Sequence, residues 1–372
     1  MSHSRQSFAT PVVTSVNAGS GLEDVIAAET VLSHVDGAAG RLIIRGYDLQ
    51  DLAGWTFEAL LSHLWRDLAP ENLDKATIRS ELGAARVEAY PIAMSLVGDI
   101  DALGDVEALR LMLAALPDAT NTPHHSLAVA AVPVFSAAIA RRRRNLKPVE
   151  PDASLGHAAD YMRMLHGVEI DAGRVRALET YLVTVADHGL NASTFTARVV
   201  ASTRAGLFSS VTGALCALKG PLHGGAPGPV LDMLDAIGEP ANIRPWLQAA
   251  LDRGERLMGF GHRIYRVRDP RADALKAATV LLRDSAERIR FAEKVEIEAL
   301  ALLAERKPLR PLQTNVEFFT ALVLEAVGMP RESFTNVFAA GRMAGWTAHV
   351  LEQERLGKLI RPQSRYVGPM PA

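Results

Sequence analysis

Gly259–Arg271 reads GFGHRIYRVRDPR. Arg263, Arg266, Arg268 and Arg271 crowd around His262, behind two glycines. Gly259 and Gly261 open backbone conformations closed to other residues, so a ligand can come close to the main chain. Asp269-Pro270 reads as an N-cap followed by proline in the first turn of a helix. Ala272, Leu275, Ala278 and Leu281 fall on one face of that helix. His262 therefore sits in a turn, among cations, just ahead of a helix N-terminus. Such a place suits anion binding and proton transfer. The same pattern also describes an ordinary solvated loop.

Two other stretches bear on the choice. Gly220–Ala226 reads GPLHGGA, with His223 between apolar residues and a glycine pair. Pro227-Gly228-Pro229 opens a helical pattern through Leu231, Met233 and Leu234, which Gly238 and Pro240 close. The positive end of that helix dipole favours a neutral imidazole. A neutral imidazole can hydrogen-bond a developing enolate, as in triosephosphate isomerase; a histidine satisfied within a tight turn fits the pattern equally. Thr314–Thr320 reads TNVEFFT. Thr314 and Glu317 have capping-box spacing ahead of an apolar helix over 318–327, so Glu317 could simply cap its own helix. Beside Phe318 and Phe319 it could instead be a poorly solvated carboxylate of raised basicity.

Composition narrows the class. The 372 residues are enough for a large core and two domains. A formal net charge of −2 gives no bulk attraction to nucleic acid or a membrane surface. Hydrophobic residues make up 48%, yet no apolar run approaches a membrane span. The opening MSHSRQSFATPVV has no signal-peptide core, and the single cysteine, Cys216, permits no internal disulfide, so a cytoplasmic location is expected. No Cys/His cluster has zinc spacing, and no metal is expected. His124-His125 reads as a loop pair after Pro123.

Residues 1–20 are polar and irregular. Residues 28–47 suggest a hairpin turning at Gly37 and Gly40. Beyond Asp48 the pattern is helical: 56–65, 106–116, 127–141, 174–187, 193–200 and 334–354 carry apolar residues at three- and four-residue intervals. The fold class is mostly α. Arg141–Arg144 reads as a solvated helix end meeting the C-terminal dipole. Arg342 stands among Ala339, Ala340, Gly341, Ala344 and Gly345, small residues that let helices approach closely. An arginine buried there requires a partner, and a carboxylate matches its fork.

In order along the chain, the GxxHGG histidine, the GFGH histidine and the acid of NVEF resemble the citrate synthase family. The resemblance runs from about Gly21 to Gly368. It includes SHVDGAAGRLIIRGYDLQDLA near the N-terminus, ADHGLNASTFTARV at 186–199, GRMAGWTAHVLEQ at 341–353 and RPQSRYVG at 361–368. It implies condensation of acetyl-CoA with oxaloacetate and water to citrate and CoA, in the Si-type manner of the tricarboxylic acid cycle enzyme. By resemblance, Glu317 is the base that takes the thioester's methyl proton, His223 stabilises the enol, and His262 activates the oxaloacetate carbonyl. His188, Arg271 and Arg342 hold oxaloacetate, and Arg361 reaches the neighbouring subunit's site in a homodimer. Leu257, Met258, Gly259, Gly261, Arg266 and Asn315 correspond to the coenzyme A site. No cofactor is implied beyond the acyl-CoA substrate. The family fold adds a smaller helical domain, here 224–325, that closes over a cleft in a large domain formed by 1–223 and 326–372.

Two positions depart from the family pattern. Glu317 replaces the more usual aspartate and lengthens the side chain by one methylene. Pro227 follows GGA where asparagine is usual, which removes a side chain and a backbone donor. Both leave room for a 2-methylcitrate synthase acting on propionyl-CoA, or for a homologue that binds acyl-CoA or dicarboxylate with little turnover.

Overall fold

The structure, a computed structural model, describes residues 22, 25–221, 223, 227–309 and 312–371. The irregular segment expected over 1–20, and Gly224 and Gly225 of the GxxHGG stretch, lie outside the described residues. The chain divides into two compact units, Met1–Thr30 and Val31–Ala372. All elements named below belong to the second.

The hairpin forms and gains one strand. β1 (Ser33–Asp36), β2 (Arg41–Ile44) and β3 (Tyr47–Asp48) make an antiparallel sheet in that order, with Ser33 opposite Ile44 and Ile43 opposite Asp48. Asp36 turns the first hairpin by accepting the N–H groups of Ala38 and Ala39. From Leu49 onward the regular structure among the described residues is helical, apart from one isolated bridge between Phe260 and Thr314.

Two helices carry most of the core. His124–Arg143 is buried from His125 to Ala140, and Phe334–Leu356 buries 17 of its 23 residues. A helix apolar on all sides is a central helix. Gly341 and Gly345 explain how the second is accommodated. A Cβ on Gly345 would lie 2.3 Å from the Ala186 carbonyl oxygen, and one on Gly341 would lie 2.5 Å from Val185. The small residues around Arg342 thus bring its backbone against helix Ala172–Val185 and the following Ala186-Asp187-His188.

The periodic segments become helices Phe57–Trp65, Asp105–Ala114, His124–Arg143, Ala172–Val185, Ala192–Ser202 and Phe334–Leu356. Three local readings are corrected. His124-His125 opens a helix rather than forming a loop pair, because Pro123 stands just before the first turn. The arginine run is not a merely solvated end: Arg142 and Arg143 pair with Asp101 and Asp105, while Arg141 and Arg144 donate to the Leu165 carbonyl. The capping box at Thr314 does not form. Asn315 is the N-cap of Val316–Ala326, and the Thr314 hydroxyl donates to buried Glu296 instead (2.7 Å). Helix Lys75–Leu96 has no counterpart among the periodic segments. Its pattern is broken by Pro91 and by Arg86, which is fully buried against Asp160 (2.6 Å).

Candidate active site

Asp269 caps helix Pro270–Thr279 as its sequence predicts, and it organises the site. Its carboxylate accepts both Nε (3.0 Å) and Nη2 (2.8 Å) of Arg271, and also the Val316 N–H (3.2 Å). One buried aspartate therefore fixes a buried arginine and the start of the helix that carries Glu317. The loop ahead of it is stitched to the same helix start. Gly261 N–H donates to Gln313 O (2.7 Å), Asn315 N–H to Gly259 O (2.9 Å), and Asn315 Nδ2 to Gly261 O (2.8 Å). Gly259 and Gly261 both have φ of +84°, so the positive-φ reading of GFG holds. A Cβ on Gly259 would also lie 2.8 Å from the Phe318 ring. Gly259→Ala is expected to cost roughly 2 kcal/mol of stability, strain and overpacking acting together. A urea titration of the two proteins measures it.

His262 lies in this loop with its Nδ1 accepting two backbone N–H groups, from Ile264 (3.0 Å) and Tyr265 (3.1 Å). Burial and then Arg271 depress its pKa to about 4, so the ring is neutral at pH 7 and its one proton is on Nε2. Arg271 Nη2 stands 3.2 Å from that nitrogen. Two donors thus face each other, with no acceptor between them among the described residues. An oxygen of an anionic ligand would satisfy both.

His188 is buried, with Nε2 3.1 Å from Tyr265 Oη and its ring 5.8 Å from that of His262. Burial, then Arg271, Arg342 and His262, hold its pKa well below the usual value. Arg342 is buried to 2% exposure. Its Nε donates to Val185 O (2.7 Å), its guanidinium lies 4.8 Å from the Phe338 ring, and no described carboxylate pairs with it. Burial lowers its pKa to about 10.

His223 is half-buried. It contacts the start of a different helix from the one that follows it. Ser193 N–H, in the first turn of Ala192–Ser202, donates to His223 Nε2 (3.2 Å), and Ser193 Oγ lies 2.8 Å from the same atom. With Nε2 accepting, the proton resides on Nδ1. Burial, then Arg342, lower the pKa to about 4, which keeps the ring neutral. Ser193 is itself held by Asn191 Oδ1 (2.8 Å) and Trp346 Nε1 (3.2 Å). Neither Ser193 nor Trp346 stands out in the sequence as a site residue. The N-cap pattern Asn191-Ala-Ser193 was the available signal.

Glu317 does not cap its helix: Asn315 is the N-cap, with its Oδ1 accepting the Glu317 N–H (3.0 Å) and its own N–H given to Gly259 O. Its carboxylate accepts no hydrogen bond from the described residues. Burial raises its pKa to about 7, against the opposing pull of Arg271 and Arg256. It is thus a base poised near neutrality.

Leu257, Gly261 and His262 line a cavity of about 420 Å³, together with the cationic residues Arg256, Arg263 and Lys307. Met258, Gly259, Arg266 and Asn315 are not in its lining. Arg266 has an exposed side chain, and its N–H donates to Gly37 O (2.9 Å). Arg361 is exposed in the extended C-terminal segment, and the chain does not bring it to the other residues.

A family model described as citrate synthase, C-terminal domain, matches residues 21–363. The chain belongs to the citrate synthase family. It is 40% identical to a citrate synthase from Haloferax volcanii, over 94% of this chain and 95% of that one. It is 36% identical to a 2-methylcitrate synthase from Mycobacterium tuberculosis, over 94% and 90%. The solved ternary complex of carboxymethyl coenzyme A and oxaloacetate with citrate synthase from Thermoplasma acidophilum matches with a TM-score of 0.82 at 27% identity, over 95% of this chain and 96% of that one. The citrate synthase fold expected from the sequence is the fold observed. No helix among the described residues is long and apolar enough to cross a membrane.

Proposed function

We propose that the protein condenses acetyl-CoA with oxaloacetate and water to give citrate and CoA. The observation that carries this reading is the pair of opposed donors, Arg271 Nη2 and His262 Nε2–H, 3.2 Å apart. The ketone and carboxylate oxygens of a 2-oxo dicarboxylate provide the acceptors they lack. Arg342, buried without a carboxylate, and neutral His188 complete a dianion site. Glu317 removes a methyl proton from the thioester while His223 Nδ1–H hydrogen-bonds the enolate oxygen. The enolate carbon attacks the ketone as His262 Nε2–H delivers a proton to its oxygen. Water then hydrolyses the citryl thioester. The chemistry runs between two substrates and uses no metal or redox cofactor. The cationic cavity beside Gly261 suits the phosphates of coenzyme A.

The same reading makes 224–325 a closing domain that shields the enolate from water. It makes the protein a cytoplasmic homodimer in which the partner subunit's Arg361 completes the dianion site. Condensation of propionyl-CoA to 2-methylcitrate would use the same residues. The 36% identical relative of that name favours keeping it as the second reading, since one methyl discriminates by only ~1–3 kcal/mol. Thiol release from acetyl-CoA and propionyl-CoA, each with and without oxaloacetate, is the deciding assay. Faster oxaloacetate-dependent release from acetyl-CoA is expected. Preference for propionyl-CoA would move the reading to 2-methylcitrate, and release from neither, with ligand binding intact, would leave a binding homologue.

A further inference from the structure

Tyr265 touches three of the residues assigned above and has no role in that assignment. Its buried ring (4% exposed) packs with its centroid 4.8 Å from that of His262 and 5.6 Å from that of His188. The Arg271 guanidinium lies 5.8 Å from the same ring. Its N–H is one of the two that hold His262 Nδ1, and its hydroxyl is 3.1 Å from His188 Nε2. His188 is the only described residue with which Tyr265 Oη makes a hydrogen bond. If His188 Nε2–H were the donor, the phenol proton would be buried with no acceptor among the described residues, which is unfavourable. The hydroxyl therefore donates to Nε2, and the neutral ring carries its proton on Nδ1.

The geometry points to Tyr265 as a positioning residue for oxaloacetate: its hydroxyl fixes the orientation and tautomer of His188, while its ring and N–H hold His262 in place. This rests on the proposed condensation only for the identity of the ligand. Burial pushes the phenol pKa up, so the hydroxyl remains a donor across any neutral assay. Removing it leaves both nitrogens of His188 able to carry the proton, and the ring is no longer pinned.

Tyr265→Phe keeps the ring packing and deletes one hydroxyl. The expected kinetic result is a KM for oxaloacetate raised roughly 5- to 20-fold, the worth of one buried hydrogen bond. The KM for acyl-CoA and the melting temperature stay near those of the parent. The second readout is the ¹⁵N spectrum of histidine-labelled, ligand-free protein, with His188 assigned by its loss in His188→Gln. The parent should show His188 with protonated Nδ1 and hydrogen-bonded Nε2, and Tyr265→Phe should move the Nε2 resonance. An unmoved His188 signal overturns the proposal, as does an oxaloacetate KM within twofold of the parent's. If the parent turns over no oxaloacetate, the condensation reading fails and the spectrum alone decides the role of Tyr265.

Discussion

Glu317→Gln is expected to lower kcat by about 10²–10⁴-fold, the range typical for loss of a general base. Glutamine keeps the shape and the Asn315 cap on the backbone N–H, so binding of oxaloacetate and acyl-CoA should survive. The pH dependence gives an independent check. Glu317 must be ionised to accept a proton, and burial sets its pKa at about 7. kcat/KM should therefore fall tenfold per unit as pH drops below about 7. His223 and His262, whose pKa values lie at about 4, add no limb in that window. Stability moves in the opposite direction. In the unfolded chain Glu317 ionises near 4.5, in the folded protein near 7. The folded state thus favours the protonated carboxyl, and its advantage is lost as pH rises from the lower value through the upper. Above pH 7 the ionised carboxylate costs the fold up to about 3 kcal/mol. Glu317→Gln should consequently melt higher than the parent at pH 8 and alike at pH 4. A stability gain confined to high pH, together with lost turnover, identifies a base held in a destabilising environment. Unchanged kcat would remove Glu317 from the chemistry. Glu317→Asp separates charge from reach: a carboxylate drawn back by one methylene should cost on the order of 100-fold in rate if the site is built around glutamate.

The freedom of Glu317 also shows where local sequence reading reaches its limit. Thr314 and Glu317 have the spacing of a capping box, and Asn315 competes for the same role. Which wins is decided by Glu296, Arg268 and Lys276, which form a charged cluster that draws the Thr314 hydroxyl away from the helix. Glu296 lies 18 residues upstream, and no local pattern links it to Thr314. The same holds for His223. Its tautomer is set by Ser193, 30 residues earlier, which no local pattern around His223 reveals. By contrast, features set by the chain's own neighbours were legible: the Asp269-Pro270 helix start, the positive-φ glycines of GFG, the Gly238 stop, and the small residues around Arg342. The hairpin was legible from its alternation. Helix Lys75–Leu96 was not, because its buried Arg86 and its Pro91 disguise an inward face whose polar member is neutralised by Asp160.

Arg342→Met is expected to leave the ligand-free protein as stable as the parent or more so, while weakening oxaloacetate binding by about 2–5 kcal/mol, some 30- to 4,000-fold. The fold alone does not explain this arginine. It is 2% exposed, makes one hydrogen bond to the Val185 carbonyl, leans on Phe338, and has no carboxylate partner among the described residues. Burial lowers its pKa from 12.5 to about 10, which corresponds to a folded-state cost of about 3 kcal/mol for keeping the charge dry. Asp187 is near enough to offset part of this, but its own Oδ2 is engaged by the Ser33 hydroxyl (2.6 Å) and His349 (3.3 Å). Methionine fills similar space without the charge, and exchanging buried ions for apolar residues is often neutral or stabilising by 1–4 kcal/mol. An unpaired buried cation persists where its partner arrives as ligand, and linkage makes that testable. In calorimetry, oxaloacetate should stabilise the parent by RT ln(1 + [L]/Kd), raising its melting temperature, and leave Arg342→Met almost unmoved. Arg342→Lys should recover little, because a point charge cannot reproduce the bidentate fork. A large loss of ligand-free stability in Arg342→Met would instead make this arginine part of the scaffold and leave the dianion site to His188 and Arg271.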